Sequence, residues 1–272
     1  MRVLIKLGGT LLDSRESRLR LTSEITALAN TCEVVVVHGG GKQMTRFLAE
    51  RQIESRFEDG LRVSTPEVMD AVLKVLTGTV NHELLATFVA AGARPVGLSG
   101  IDAGLVECEP MAPALGAVGR PIRCDAGLIR LLAGQSYLPV VACVGGDRNG
   151  RVYNVNADQM AVSLAIGWQA NSLYFFTDVD GVKNREGQVT TSLTAADCEV
   201  LIGDGVATGG MQAKLNAAVD ALKAGIPEIV IAPGGFDGLL AGLRRGEAIG
   251  TRLVGGTVAA QRLRKEALSK RI

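Results

Sequence analysis

Six short apolar runs, Val3–Leu7, Val34–Val37, Pro95–Leu98, Leu138–Val144, Leu173–Thr177 and Glu228–Ala232, constrain this chain more than any other feature. Each is too short for a helix, and their apolar residues are successive instead of alternate. Strands of that kind are covered on both faces, the condition of a parallel sheet between helical layers. Helix-period segments fall between the runs, at Glu16–Ala29, Lys42–Arg51, Pro66–Leu76, His82–Ala91, Ala157–Ile166 and Gln212–Ala224. The alternation predicts an α/β fold, a three-layer αβα sandwich around a central, mainly parallel sheet wound by right-handed crossovers.

Two stretches break the alternation. Gly104–Cys124 and Arg151–Val155 carry Gly, Pro and short alternating patches, and read as small antiparallel β-hairpins forming a rim or lid over the site. No Pro/Ser linker divides the chain. From motif order alone we expect an N-terminal lobe over 1–170, a C-terminal lobe over 171–254, and a basic tail over 255–272. Two readings of the tail are open: a solvated amphipathic helix, or a contact with a second subunit or regulator.

Lysine plus arginine number 29 against 28 aspartates and glutamates, so no global basic field gathers nucleic acid or anionic lipid. Any polyanion must be held locally. The five cysteines form no C-x-x-C pair and read as free buried thiols of a reducing cytoplasm. No signal-peptide pattern opens the chain. Nor does any apolar stretch reach the roughly 18 to 20 residues that span a bilayer.

Chemistry-bearing residues gather where the runs end. Lys6-Leu-Gly-Gly9 ends the first with a lysine and the glycines Gly8 and Gly9, either an ordinary turn or an anion-holding one. His38-Gly-Gly-Gly-Lys42 ends the second and opens a helix, and three glycines there suit close approach of a ligand at Gly40 and Gly41. His38 itself reads as a hydrogen-bonded core residue. No G-x-x-x-x-G-K-[ST] loop and no G-x-G-x-x-G after a strand is present, so phosphate must be bound by another arrangement.

Asp59-Gly-Leu-Arg-Val63 places Arg62 after a turn, as a surface arginine or a carboxylate fork. Asn154-Val-Asn-Ala-Asp158 leads into a helix that Asn156 can cap, leaving Asn154 and Asp158 for other work. Thr177-Asp-Val-Asp-Gly-Val-Lys183 follows the fifth run with two carboxylates and a glycine turn, read either as a polar turn or as a nucleotide edge. Thr208-Gly-Gly-Met-Gln-Ala-Lys214 opens a long helix whose free N–H groups and Lys214 can meet one anion.

The order of these six motifs resembles the amino acid kinase family from Arg2 to about Val254, most specifically in Gly60–Val63 and Asn154–Gln159. The resemblance implies ATP-dependent phosphorylation of the γ-carboxylate of N-acetyl-L-glutamate. Lys6 and Lys214 would be catalytic, with Asp158 orienting both. Gly40, Gly41, Arg62 and Asn154 would hold the acceptor, Arg62 taking its α-carboxylate. Gly8, Gly9, Asp178, Val179, Asp180, Gly181, Val182, Lys183, Val206, Ala207, Thr208 and Gly210 would line the ATP site, with Mg²⁺ carried on the ATP phosphates and no protein metal ligand.

Asp59 stands where relatives often carry Asn, and the tail over 255–272 extends past the usual Gly-Thr-Arg ending. The expected assembly is an arginine-insensitive homodimer without nucleic-acid or membrane partners. The readings set against this are a carrier-linked aminoadipate or glutamate kinase, with Arg15, Arg18 and Arg20 as a docking surface, and a catalytically silent nucleotide- or arginine-binding regulator.

Overall fold

The computed structural model describes residues 1–58 and 60–255. Asp59 and all of the basic tail beyond Gly255, both singled out by the sequence, lie outside the described residues.

The strands are β1 (Arg2–Leu7), β2 (Glu33–His38), β3 (Phe57–Glu58), β4 (Leu61–Arg62), β5 (Pro95–Ser99), β6 (Val106–Pro110), β7 (Val118–Cys124), β8 (Leu138–Ala142), β9 (Val144–Gly146), β10 (Val152–Val155), β11 (Ser172–Thr177), β12 (Ser192–Leu193), β13 (Glu228–Pro233) and β14 (Thr251–Leu253). The helices are α1 (Arg15–Ala29), α2 (Gly41–Glu50), α3 (Pro66–Val72), α4 (Asn81–Ala90), α5 (Gly127–Gly134), α6 (Ala157–Trp168), α7 (Ala195–Gly203), α8 (Gly209–Lys223) and α9 (Leu239–Arg244).

The six apolar runs become six adjacent parallel strands of one sheet, in the order β12-β14-β13-β11-β1-β2-β8-β5. Only the edge departs from parallel, where β14 runs against β13. β1 sits at the centre, between β2 and β11, with Lys6 paired to Val37 and to Phe175. The chain builds one half of the sheet before crossing to the other side of β1, and ligands of open α/β sheets gather at the carboxyl ends around such a switch. Helices cover both faces: α1 packs on α4 and α9, while α6 packs on β1, β2, β11 and α8. Val35, Val36, Leu4, Ile5, Phe175 and Trp168 are wholly buried between the layers.

Three features differ from the sequence reading. The stretches read as antiparallel hairpins do pair antiparallel, β6 with β7 and β9 with β10, but they also close into a four-stranded barrel, β10-β7-β6-β9, through the parallel pairs β10–β7 and β6–β9. The run Leu138–Val144 is two strands, because the chain turns at Cys143 to leave the sheet for the barrel. The segments Pro66–Leu76 and His82–Ala91 are one continuous rod, joined by a π-helical stretch at Leu73–Val80. Thr77-Gly-Thr79 are weak α-helix formers, so the sequence suggests a break there. The backbone widens instead.

A second hairpin, β3–β4, is held to the barrel by a small cluster of Val63, Leu115 and Val118. Ser64 bonds the barrel-side turn in both directions, donating its N–H to Leu115 O and accepting from Ala117 N. Gly116 makes this contact possible, with φ at 64° and only 2.5 Å between its would-be Cβ and Ser64 O. Gly116→Ala is expected to lower stability by about 1–3 kcal/mol in urea unfolding, through strain and that clash.

Candidate active site

Four neighbouring strands deliver their C-terminal ends to one cleft of about 970 Å³: Lys6, Gly8 and Gly9 from β1, Gly39–Gly41 from β2, Cys143 from β8, and Thr177–Val179 from β11. From the helices that open on it come Asp158 of α6 and Gly210, Met211 and Lys214 of α8.

The floor is a buried charge triad. Lys6 Nζ lies 2.9 Å from Asp158 Oδ1, and Lys214 Nζ lies 3.0 and 3.1 Å from the two oxygens of the same carboxylate. All three residues are buried, at 8%, 6% and 6% exposure for Lys6, Asp158 and Lys214. Burial pushes the Lys214 ammonium down to about 8, the charge of Lys6 pushes the same way, and Asp158 opposes both. Burial alone would raise the carboxyl of Asp158, but attraction to the two lysines outweighs it and holds the group below its ordinary range. The triad carries one net positive charge where water is scarce. Such a charge is costly unless an anion completes it.

Donors for that anion surround it. The helices α1, α3, α6 and α7 are closed by the side chains of Ser14, Thr65, Asn156 and Thr194. The N-termini of α2 and α8, which open on the cleft, have Gly40 and Thr208 at the cap and no side-chain bond. Their first-turn N–H groups, and the positive ends of two helix dipoles, are left to a ligand. The two glycine turns touch: a Cβ on Gly9 would stand 3.0 Å from Gly41 N, and one on Gly40 would stand 2.5 Å from Leu76 Cδ2. Only bare backbone fits.

Arg62 is buried, not a surface residue, and lies against the opposite wall. Its guanidinium donates to Thr45 Oγ1 at 2.8 Å, to Gly41 O at 3.2 Å and to the Ser55 hydroxyl, and it stacks 4.5 Å from the Phe57 ring. Burial presses it below its ordinary value. Asn154 stands nearby, donating to Ser64 Oγ at 3.0 Å. Leu61, Val72, Leu76 and Val118 give this end of the cleft an apolar lining.

Asn156 caps α6 by accepting from Asp158 N and Gln159 N, which points the Asp158 side chain to the lysines. His38 is wholly buried outside the cleft lining. Its Nδ1 lies 2.9 Å from Gly39 O and its Nε2 2.9 Å from Asn81 Nδ2, so Nδ1 carries the proton and Nε2 accepts.

Asp180, Gly181, Val182, Lys183, Val206, Ala207 and Thr208 lie outside the lining. Gly181 and Val182 pack on Thr251, whose hydroxyl accepts from Val182 N at 2.8 Å. Val206 and Ala207 both donate to Leu201 O, and Thr208 heads α8. Sequence reasoning passed over Cys143, Thr10, Asp13, Thr45 and Phe57. The first is a small residue inside an apolar run, Thr45 is a polar residue inside helix α2, and Thr10, Asp13 and Phe57 have no motif of their own.

A cleft that gathers two lysines, one carboxylate and two open helix ends at the switch point of a parallel sheet is that of a small-molecule phosphotransferase. The model of the amino acid kinase family matches residues 1–232. The chain is 57% identical to an acetylglutamate kinase of Solibacter usitatus, over 93% of this chain and 99% of that one. It is 42% identical to an acetylglutamate kinase of Geobacillus kaustophilus, over 85% and 90% of the two chains. Its fold is also that of a Giardia carbamate kinase, with a TM-score of 0.67 at 17% identity, covering 94% of this chain and 99% of that one. The chain belongs to the amino acid kinase family.

Burial lowers the His38 imidazole to about 4, against an opposing bond to Gly39 O. A group lowered on folding contributes stability that is complete above its unfolded value and lost as pH falls. Between about pH 6.5 and 4 the protein is therefore expected to lose about 3 kcal/mol through this residue. His38→Gln should flatten that acid limb in denaturant unfolding measured across pH.

Proposed function

We propose that the chain catalyses ATP-dependent phosphorylation of the γ-carboxylate of N-acetyl-L-glutamate, the acyl-phosphate-forming step of arginine biosynthesis. The observation that carries this reading is the buried triad with one positive charge in excess, set between two uncapped helix ends. Relatives named acetylglutamate kinase, 57% and 42% identical over most of the chain, support the choice of acceptor.

The residues fit a nucleoside triphosphate by charge and by space: glycine backbone where phosphate must approach, open N–H groups, and two ammonium groups. ATP, when bound, supplies the phosphoryl group, with Mg²⁺ carried on its phosphates. Lys6 and Lys214 neutralise charge that develops during in-line transfer. Asp158 keeps the two like charges together and points both at one place. Gly9, Gly40 and Gly41 bring backbone donors to the same place, the Gly8 N–H being taken by Phe176 O.

Arg62 offers a planar fork to the acceptor's α-carboxylate, and Asn154 an amide to its acyl group. The acceptor's own carboxylate, with an ordinary value of about 4.3, is ionised at neutral pH and needs no general base. That agrees with a cleft whose nearest histidine is neutral and turned to the core. Positioning and charge neutralisation carry the catalysis.

In the same reading residues 1–170 hold the acceptor and 171–254 the nucleotide. Asp178 and Val179 line the cleft, and to Asp180, Gly181, Val182, Lys183 and the Val206–Thr208 segment, outside that lining, we assign the remainder of the nucleotide. We assign a cytoplasmic homodimer, consistent with the lack, among the described residues, of any helix long and apolar enough to cross a membrane. The strand edge of β5, with Val96 and Leu98 half-exposed, is its natural contact.

A coupled ADP-release assay on N-acetyl-L-glutamate, L-glutamate and L-aspartate should show turnover with the first alone and dependence on Mg²⁺. Turnover of a carrier-linked substrate instead, or ATP binding without turnover, would overturn the acceptor. Lys214→Ala should lower kcat by about 10²-fold or more, with a smaller effect on KM. Because protonated Lys214 is the working form, kcat/KM should fall as pH rises through about 8. Lys214→Arg should move that alkaline limb upward.

A further inference from the structure

Gln43, on the first turn of α2, is absent from the motifs and from the cleft lining. It lines a second cavity of about 310 Å³, bounded by Arg18, Phe47, Val75, Thr79 and Glu83. From there its amide reaches the outer side of the seam where the two glycine turns meet. Nε2 donates to Gly9 O at 3.4 Å, and Oε1 stands 3.8 Å from where a Cβ on Gly40 would be. The amide's orientation follows from the acceptor it faces, since a carbonyl oxygen takes a bond only from the NH₂ end.

The neighbours fix both turns around this amide. A Cβ on Gly9 would stand 3.0 Å from Gly41 N and 3.4 Å from Gly40 N, and one on Gly40 would stand 2.5 Å from Leu76 Cδ2 of the π-helical stretch, so neither turn has room for a side chain. Oε1 is buried and meets no donor among the described residues. A buried acceptor without a partner is destabilising, and methionine would fill the same space without one. Gln43 is half-buried, and its one side-chain bond among the described residues is the one to Gly9 O. The bonded end is therefore the one with a role, and what it bonds is the turn that carries Gly8 and Gly9.

We propose that Gln43 is a positioning residue. Its bond to Gly9 O holds the Gly8–Gly9 turn against the Gly40–Gly41 turn, so that backbone donors of both converge on the transferring phosphoryl group. The inference rests on the phosphoryl-transfer reading above. It places Gln43 outside the reaction and acting through the two turns. The transferring group must be held in line while charge shifts toward the leaving oxygen, so the effect belongs to kcat and to recognition of the terminal phosphate, not to the acceptor.

Three variants test it: Gln43→Met keeps the shape without the donor, Gln43→Glu keeps the shape and has a donor only when protonated, and Gln43→Ala removes the side chain. Gln43→Met should lower kcat about tenfold, the loss of one positioning bond, with KM for N-acetyl-L-glutamate within about twofold of the unsubstituted protein. Normalised to the unsubstituted protein at each pH, Gln43→Glu should recover activity as pH is lowered from about 6.5 toward about 4.5, where a carboxyl with an ordinary value of about 4.3 takes up its proton, and Gln43→Met should not. A merely structural role would give no such recovery.

A second measurement does not depend on the acceptor. In calorimetric titration, the preference for a non-hydrolysable triphosphate over ADP should drop severalfold in Gln43→Met. Unchanged kcat and unchanged triphosphate preference in a folded Gln43→Met would overturn the proposal. A protein that kept this binding difference but did not turn over N-acetyl-L-glutamate would overturn only the choice of acceptor.

Discussion

Two ammonium groups held on one buried carboxylate are an unfavourable arrangement that the rest of the fold is organised to maintain. Lys6 comes from the central strand and Lys214 from a helix two hundred residues later, and Asp158 stands on a third element between them. Removing Asp158 would leave two like charges in a dry place, and removing either lysine would leave the carboxylate half-paired. The surplus positive charge is relieved only by something anionic. The empty valence of the triad, more than any single contact, defines what the cleft accepts.

Helix ends extend the same logic. Side chains close the N-termini of α1, α3, α6 and α7, whereas α2 and α8 keep theirs open toward the triad. An uncapped end gives up about 1 kcal/mol of helix stability. Here two such ends face one point, and the local cost is offset by dense packing elsewhere in the sheet. The glycines at 9, 40 and 41 serve this geometry by leaving no Cβ between donor and ligand, and Gly8 by bonding its N–H to Phe176 O without crowding it.

Much of this was legible in the sequence because it is local. An apolar run followed by glycine and lysine is read within ten residues, and the six runs located six neighbouring strands. The burial of Arg62 was not legible: it depends on Ser55 and Phe57, from a segment without periodicity, and on Thr45 of α2, which converge on it only in the fold. The barrel was hidden for a related reason. Its strands β9 and β10 have three and four residues, and β10 pairs in parallel with β7 more than thirty residues away. Cys143 was hidden inside a run whose apolar character continues across the turn.

The π-helical stretch at Leu73–Val80 gives the rod from Pro66 to Ala90 two separate phases. Before and within it, Val72 and Leu76 face the cleft; after it, Leu84 and Phe88 are sunk in the core. A straight α-helix would lock those two faces to one angular rule, so a change that reshaped the pocket would also retune the packing on the sheet. The wider turns uncouple them. The cleft lining at Val72 and Leu76 can thus drift in evolution, or be redesigned, while the supporting half of the same helix stays in register with the sheet.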